Sequence, residues 1–327
     1  MKSTDDVRSD GGTPEIPLSS LSEESVTRQD RLRNALSKRW ETFLLAWSDW
    51  RFKIGFGIIL SYVLVGVFGV QIVGEPSFRD GGKWDAPFQG SANPLGTNQY
   101  GESILSTLVH ATPDMLLMLL GGAVFATAVG AAVGIVAGYK GGRVDSVLTT
   151  ITDTAMMIPA LPLIIVVGAI WEPTNPIVVG ILVSINGWAG AARGLRSQVL
   201  TIREESYVEA SRIMGSSTTS ILRQDITPQL LPLILVNFVM SGRGVIFNSV
   251  ALYFLGVLPI GEALNWGIML NQAYEVGAVT SPELFYTIAF PLLAIVMLSW
   301  GLIMVSQGLD RVVNVRVRAR EEGGDAA

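Results

Sequence analysis

The chain contains no cysteine and a single histidine, His110. Without cysteine there is no disulfide framework and no thiolate metal site. With one histidine, most metal-centre and nucleophile–histidine chemistry is excluded too. Charge is sparse: charged residues make up 16% of the 327 positions and hydrophobic residues 49%, with mean hydropathy +0.44. That is too apolar for an ordinary soluble domain of this length. Lysine is scarce, five against eighteen arginines. No Gly-x-x-x-x-Gly-Lys-Ser/Thr run occurs, so no ATP-binding phosphate loop is expected. The N-terminus has Asp5, Asp6 and Asp10 where a signal peptide needs positive charge, so none is expected.

What the chain has instead is long apolar runs. A membrane span needs about 20 apolar residues. Six are predicted, at 54–73, 114–139, 147–170, 176–192, 230–258 and 284–309. Internal glycines and prolines are tolerable where neighbouring helices satisfy the backbone. Orientation follows from Lys and Arg placement. With both termini cytoplasmic, all but Arg79, Lys83 and Arg243 of the 23 basic residues fall on the inner side. The expectation is an all-α polytopic membrane protein in the plasma membrane, with six transmembrane helices and N- and C-termini cytoplasmic.

The ends divide by composition. Residues 1–27 are polar and rich in Ser, Thr, Pro and Gly, and are expected to be disordered. Residues 28–53 read as an interfacial amphipathic helix. Leu32, Leu36, Trp40, Phe43, Leu44 and Trp47 recur at three- and four-residue intervals, among Arg31, Arg33, Lys38 and Arg39. The expected transmembrane domain is 54–311, and 312–327 is expected to be a cytoplasmic tail. Trp40, Trp47, Trp50, Trp171 and Trp266 sit near membrane edges, as an aromatic belt would place them.

One amphipathic, charged stretch interrupts the apolar spans, at 204–228. Ser206 is placed to cap a helix, with Glu209 closing a capping box. Tyr207, Ala210, Ile213 and Met214 would then share a face, and Gly215 would end the helix. Ser217 would start a second short helix reaching Arg223. The pattern Glu209-Ala210-Ser211, then Gly215, then Ile226-Thr227-Pro228, resembles the coupling loop of ABC-importer permeases, with Ser211 in place of the usual alanine. A second run, Asn93 to Ser106, is similar to a signature of the dipeptide/oligopeptide branch, Pro-Leu-Gly-Thr-Asp followed by Gly-Arg-Asp. Here Asn98 replaces Asp, and Glu102-Ser103 replaces Arg-Asp, which removes a charge pair. Ala137-Gly138-Tyr139 with Asp145, Ile158-Pro159, Gly187-Trp188 with Arg193, and Phe254-Leu255-Gly256 with Trp266-Gly267 extend the likeness over residues 52–318.

The resemblance implies the type I ABC-importer permease fold and a C-type subunit of the peptide and nickel branch. It implies a related B-type permease as partner, two ABC ATPase subunits or domains, and an extracellular solute-binding protein. ATP and magnesium would be used by those ATPase partners; this chain would hold no cofactor and carry out no catalysis. Ser206, Tyr207, Glu209, Ala210, Ser211, Gly215, Ile226 and Pro228 would form the ATPase-coupling element. Di- or oligopeptides are the implied cargo, with oligosaccharides or nickel as alternatives.

Arg243, with Asn248 and Ser249 below it, is the charge inside the fifth span. It faces either the partner subunit or the translocation path. Asp153 in the third span faces the path or a neighbouring helix. Gly122, Ala126, Gly130, Gly134 and Gly138 form a small-residue ridge that packs within this bundle or against the partner. The outer loops, 74–110 and 259–283, offer Trp84, Phe88, Tyr100, Trp266 and Tyr274 to the binding protein. His110 at the outer mouth of the second span reads as a polar interface residue. A secondary transporter or channel is the rival class. It would need coupling-ion ligands at mid-membrane, where only Arg243 and Asp153 stand, and no inverted repeat is visible.

Overall fold

The computed structural model describes residues 46–89, 92–258 and 264–324, with side chains as far as Arg311. The expected tail 1–27 and most of the expected interfacial helix 28–53 lie outside them. Among the described residues the regular structure is helical, apart from one antiparallel bridge between Thr97 and Ser103. Four helices are long and apolar enough to span a membrane: α1 (Trp50–Ile72), α2 (Ile104–Lys140), α8 (Thr218–Phe254) and α10 (Tyr286–Arg311, continuing to Gly324). Two bent pairs add up to two further candidate spans, if each pair is one span. α3 (Gly142–Met157) meets α4 (Ala160–Trp171) at 84°, and α5 (Pro176–Val183) meets α6 (Gly187–Ile202) at 60°. Two short helices complete the set, α7 (Ser206–Ile213) and α9 (Trp266–Glu275).

The third and fourth spans are therefore broken, not straight as their apolar runs suggest. The break in the third follows from Pro159. The residue before a proline is pushed out of the α region, and Ile158 is extended at φ −73, ψ 121. The carbonyls left free are met from across the bundle. Asn186 donates through Nδ2 to the oxygens of Ile158 at 2.9 Å and Ala155 at 3.3 Å. In the fourth, Asn175 caps α5 by accepting from Ile177 N–H and Val178 N–H, with Pro176 in the first turn.

α2 is the hub. Its 37 residues span about 55 Å at 1.5 Å per residue, more than the hydrocarbon core. Its small-residue ridge lies against α5 and α6 of the same chain. A Cβ built on Gly134 would sit 2.4 Å from the Ala192 carbonyl oxygen, and one on Gly122 2.4 Å from that of Gly180. On the facing side, a Cβ on Gly180 would come within 2.1 Å of the Met118 oxygen. The ridge thus serves this subunit's own packing and lets backbones touch. α1 docks on α10 by the same device. Gly55 lies against the Gly301 oxygen, and Tyr62 Oη donates to the Ala294 oxygen at 2.8 Å. Just before α1, Asp49 accepts from Arg51 N–H at 2.8 Å and from Arg311 at 3.0 Å. Those two donors hold its carboxyl below the ordinary carboxylate range.

Candidate coupling segment and translocation path

α6 runs out of the bundle into a tight turn at 203–205. Arg203 donates through Nη1 to the Gly138 oxygen at 3.0 Å, closing the end of α2. α7 follows. Its N-cap is Glu205, extended at φ −69, ψ 141, with no side-chain capping bond. The expected capping box is thus absent: the helix starts one residue earlier, because the turn ends at Glu205, and Ser206 becomes its first residue. The C-terminus is as expected. Gly215 is left-handed at φ +79, its N–H reaches the Arg212 oxygen at 3.1 Å, and Ser216 N–H reaches the Ser211 oxygen at 3.1 Å. These are the two bonds of a Schellman stop.

Ser217 then caps the next helix by accepting from Ser220 N–H. That helix does not end near Arg223. It is the first turn of α8, which continues through a π turn at Leu222–Ile226 to Phe254. Proline has no N–H to donate to the turn before it, and the wider π turn lets the helix pass Pro228 without ending.

The segment is anchored by one small apolar cluster. Val208, Ile221, Ile226 and Leu230 are buried against Ile135, Leu195 and Val199 of α2 and α6. Tyr207 is half-buried, and its hydroxyl meets Gln229. Val208 was not singled out in the sequence, where Tyr207, Ala210, Ile213 and Met214 were read as sharing a face; beyond Tyr207 that face is not packed within this chain. Instead Glu209 and Ala210 are exposed, Ile213 is 80% exposed and Met214 76% exposed. Large apolar side chains at that exposure, at the tip of an anchored knob, make an interaction surface. Behind it lies a cleft of about 650 Å³ edged by Lys140, Arg203, Glu204, Glu209 and Arg212.

The expected path residues separate. Arg243 is half-buried on α8. Its Nε is buried with no hydrogen-bond partner, and its guanidinium carbon lies 5.5 Å from the centre of the Phe247 ring. Among the described residues no ion pair includes it. A Cβ on Gly244 beside it would meet nothing within 4 Å. Asn248, half-buried one turn on, donates to the Val183 oxygen at 3.4 Å. Ser249 does not line a path in this chain. It is fully buried and its hydroxyl donates to the Ile246 oxygen, so it belongs to the helix interface. Asp153 pairs with Arg193 of α6 at 2.5 Å, so it joins a neighbouring helix.

At the far end of α2 the described part of the 74–103 loop is held by its own hydrogen bonds. Asn98 accepts from Tyr100 N–H and Glu102 N–H, and its amide donates to Glu102 at 2.7 Å. A hydrogen-bonded Asn–Glu pair therefore stands where the family signature has charged residues. Tyr286 at the start of α10 donates to the Thr97 oxygen at 2.8 Å and ties the loop down. Phe88 is 79% exposed, Tyr100 and Tyr274 are exposed, and Trp84 is half-buried. Trp84 and Phe88 both hold positive φ, 63° and 65°. Trp266 corrects the expectation of an exposed or belt tryptophan. It is 1% exposed, donates to the Leu108 oxygen at 3.3 Å and sits edge-on to Tyr62. His110 meets the Ser106 oxygen through Nδ1 at 3.0 Å.

The described helices form an apolar bundle with an anchored amphipathic segment between its fourth and fifth expected spans. A family model described as binding-protein-dependent transport system inner membrane component matches residues 130–319. The chain belongs to that family and is an ABC-importer permease of the plasma membrane. It is 27% identical over 224 residues to the dipeptide transport system permease protein DppC of Bacillus subtilis (strain 168), covering 68% of this chain and 69% of that one. It is 29% identical over 227 residues to the oligopeptide transport system permease protein OppC of Lactococcus lactis subsp. cremoris (strain SK11), covering 69% and 76%. It is 24% identical over 268 residues to DppC of Alkalihalophilus pseudofirmus, covering 81% and 86%. The family match includes the whole of residues 204–228.

Proposed function

We propose that this chain forms one half of the translocation path of an ATP-driven importer of di- or oligopeptides. A related permease forms the other half. Two ATPase subunits bind ATP and magnesium, and a solute-binding protein delivers cargo to the outer loops. Both termini lie in the cytoplasm, and so does the 204–228 segment. The observation that carries the reading is that segment: a capped, anchored knob whose Ile213 and Met214 have no apolar neighbours to bury them. Such a knob fits a groove in an ATPase subunit and follows its closure. Peptide cargo is supported by the names of the relatives, DppC and OppC.

The test is the complete transporter in proteoliposomes with its binding protein and labelled trialanine. Glu209→Lys reverses an exposed charge on the knob, and Gly215→Val forbids the left-handed stop. Each should leave the complex assembled and sharply reduce both stimulated ATP hydrolysis and uptake. Survival of both activities in both variants would remove the coupling role. Failure of trialanine and longer peptides to enter would remove the peptide assignment alone.

Arg243 supplies a fixed positive charge to the path. A guanidinium facing lipid is too unfavourable to retain, and among the described residues no ion pair neutralises it. It can meet a peptide carboxylate bidentately. Arg243→Ala should lower trialanine uptake about tenfold, the worth of one charge-assisted hydrogen bond, with the heterocomplex intact in detergent. Dissociation of that complex would assign Arg243 to the subunit interface instead.

A further inference from the structure

α3 is held in an unusual way for a helix of a membrane bundle. Of its 16 residues only Thr152 is buried. Apolar packing therefore does little to fix its position, and its neighbour α6 holds it by polar contacts along its length. At one end Asp145 takes a two-pronged bond from Arg196, Nε to Oδ1 at 2.5 Å and Nη2 to Oδ2 at 2.7 Å. Two turns on, Asp153 pairs with Arg193. At the far end Asn186 donates to the Ala155 and Ile158 carbonyls exposed by the Pro159 break. The two helices are antiparallel, so these contacts are successive rungs. Bidentate arginine–carboxylate geometry fixes orientation as well as distance, so α3 can neither slide nor roll freely on α6.

α6 continues directly into the coupling segment. The turn between them is short and bonded on both sides: Glu204 N–H to the Thr201 oxygen and Glu205 N–H to Ile202 before it, Val208 N–H and Glu209 N–H to Glu205 after it. On its outward side α3 carries exposed Ser146, Thr150 and Thr154, one turn apart. The two threonine hydroxyls bond back to carbonyls of their own helix, at 2.8 Å each. Those hydroxyls are met within the helix, but the Asp153–Arg193 pair beside them is also exposed, and exposed charge suits water better than lipid.

We propose that α6 carries α3 as a single lever. Asp145–Arg196 and Asp153–Arg193 are positioning pairs that pass displacement of the coupling segment to the hydroxyl-bearing face of α3 on the path. This rests on the proposed docking of residues 204–228 to an ATPase, and it adds how the motion reaches the path.

Because the chain has no cysteine, spin labels at Thr154→Cys on α3 and Ser197→Cys on α6 would be the only ones on this subunit. Both positions are exposed. In the reconstituted transporter the label distance should stay within about 2 Å between nucleotide-free and ATP-trapped states, as in rigid-body shifts of packed helices. Asp145→Asn with Arg196→Gln should broaden that distance and cut trialanine uptake per ATP hydrolysed about tenfold, the scale of a lost coupling contact. The exchange Asp145→Arg with Arg196→Asp should restore much of the ratio. A wild-type distance that changes with nucleotide, an unchanged uptake ratio in the double variant, or a swap with no recovery would each overturn the lever. The label distance does not depend on how Glu209→Lys or Gly215→Val behave, so loss of the docking reading is seen separately.

Discussion

Ile213→Asp combined with Met214→Asp is expected to abolish binding-protein-stimulated ATP hydrolysis and uptake while the permease stays folded. Both side chains are largely exposed at the tip of α7, so the subunit loses no internal packing. On the proposed docking, the ATPase interface would lose two apolar anchors, about 1.5–3 kcal/mol each when fully buried. It must also desolvate two carboxylates. Together these weaken docking about a hundredfold or more. Pull-down of tagged ATPase subunits with the permease in detergent reads this directly. Undiminished capture would show that the knob tip is not the contact. Val208→Asp is the contrast. That residue is fully buried in the cluster anchoring the knob, so the same charge there should unfold the segment.

Gly134→Val and Gly180→Val are expected to remove most folded permease from the membrane. At Gly134 the atom in the way is the Ala192 carbonyl oxygen, and at Gly180 it is that of Met118. Both are helix backbone, which cannot rotate aside as a side-chain tip can. Overpacking costs typically about 1–3 kcal/mol even where side chains yield. Here two helices must separate along their length, and α2 is the hub on which α5, α6 and α8 pack. Gly194→Val on α6 is the control, since a Cβ there meets nothing within 4 Å. Detergent size-exclusion profiles and thermal midpoints would check it. Wild-type behaviour of Gly134→Val would mean the α2–α6 contact is looser than described.

The apolar runs were legible in the sequence because every span must satisfy its own backbone and carry a local stretch of apolar residues. The Gly215 stop and the Ser217 cap were legible for a similar reason, since each depends on a few adjacent residues. Local signals also misled. Ser206 with Glu209 has capping-box spacing, yet the turn from α6 puts Glu205 at the cap. Trp266 has the composition of a belt residue and is a core residue.

Only the tertiary structure decided which faces meet. The glycine ridge could have served a partner subunit equally well, and it lies on α5 and α6. Asp153 could have faced a pore, and it is paired with a residue 40 positions away; Asp145 is paired with one 51 positions away. Pro159 announces a break, but the amide that meets the freed carbonyls across the 84° bend comes from Asn186, 28 positions on from Ile158. Composition and spacing fix what one segment can do alone. The pairing of distant segments depends on shape and charge that meet only once the bundle has formed.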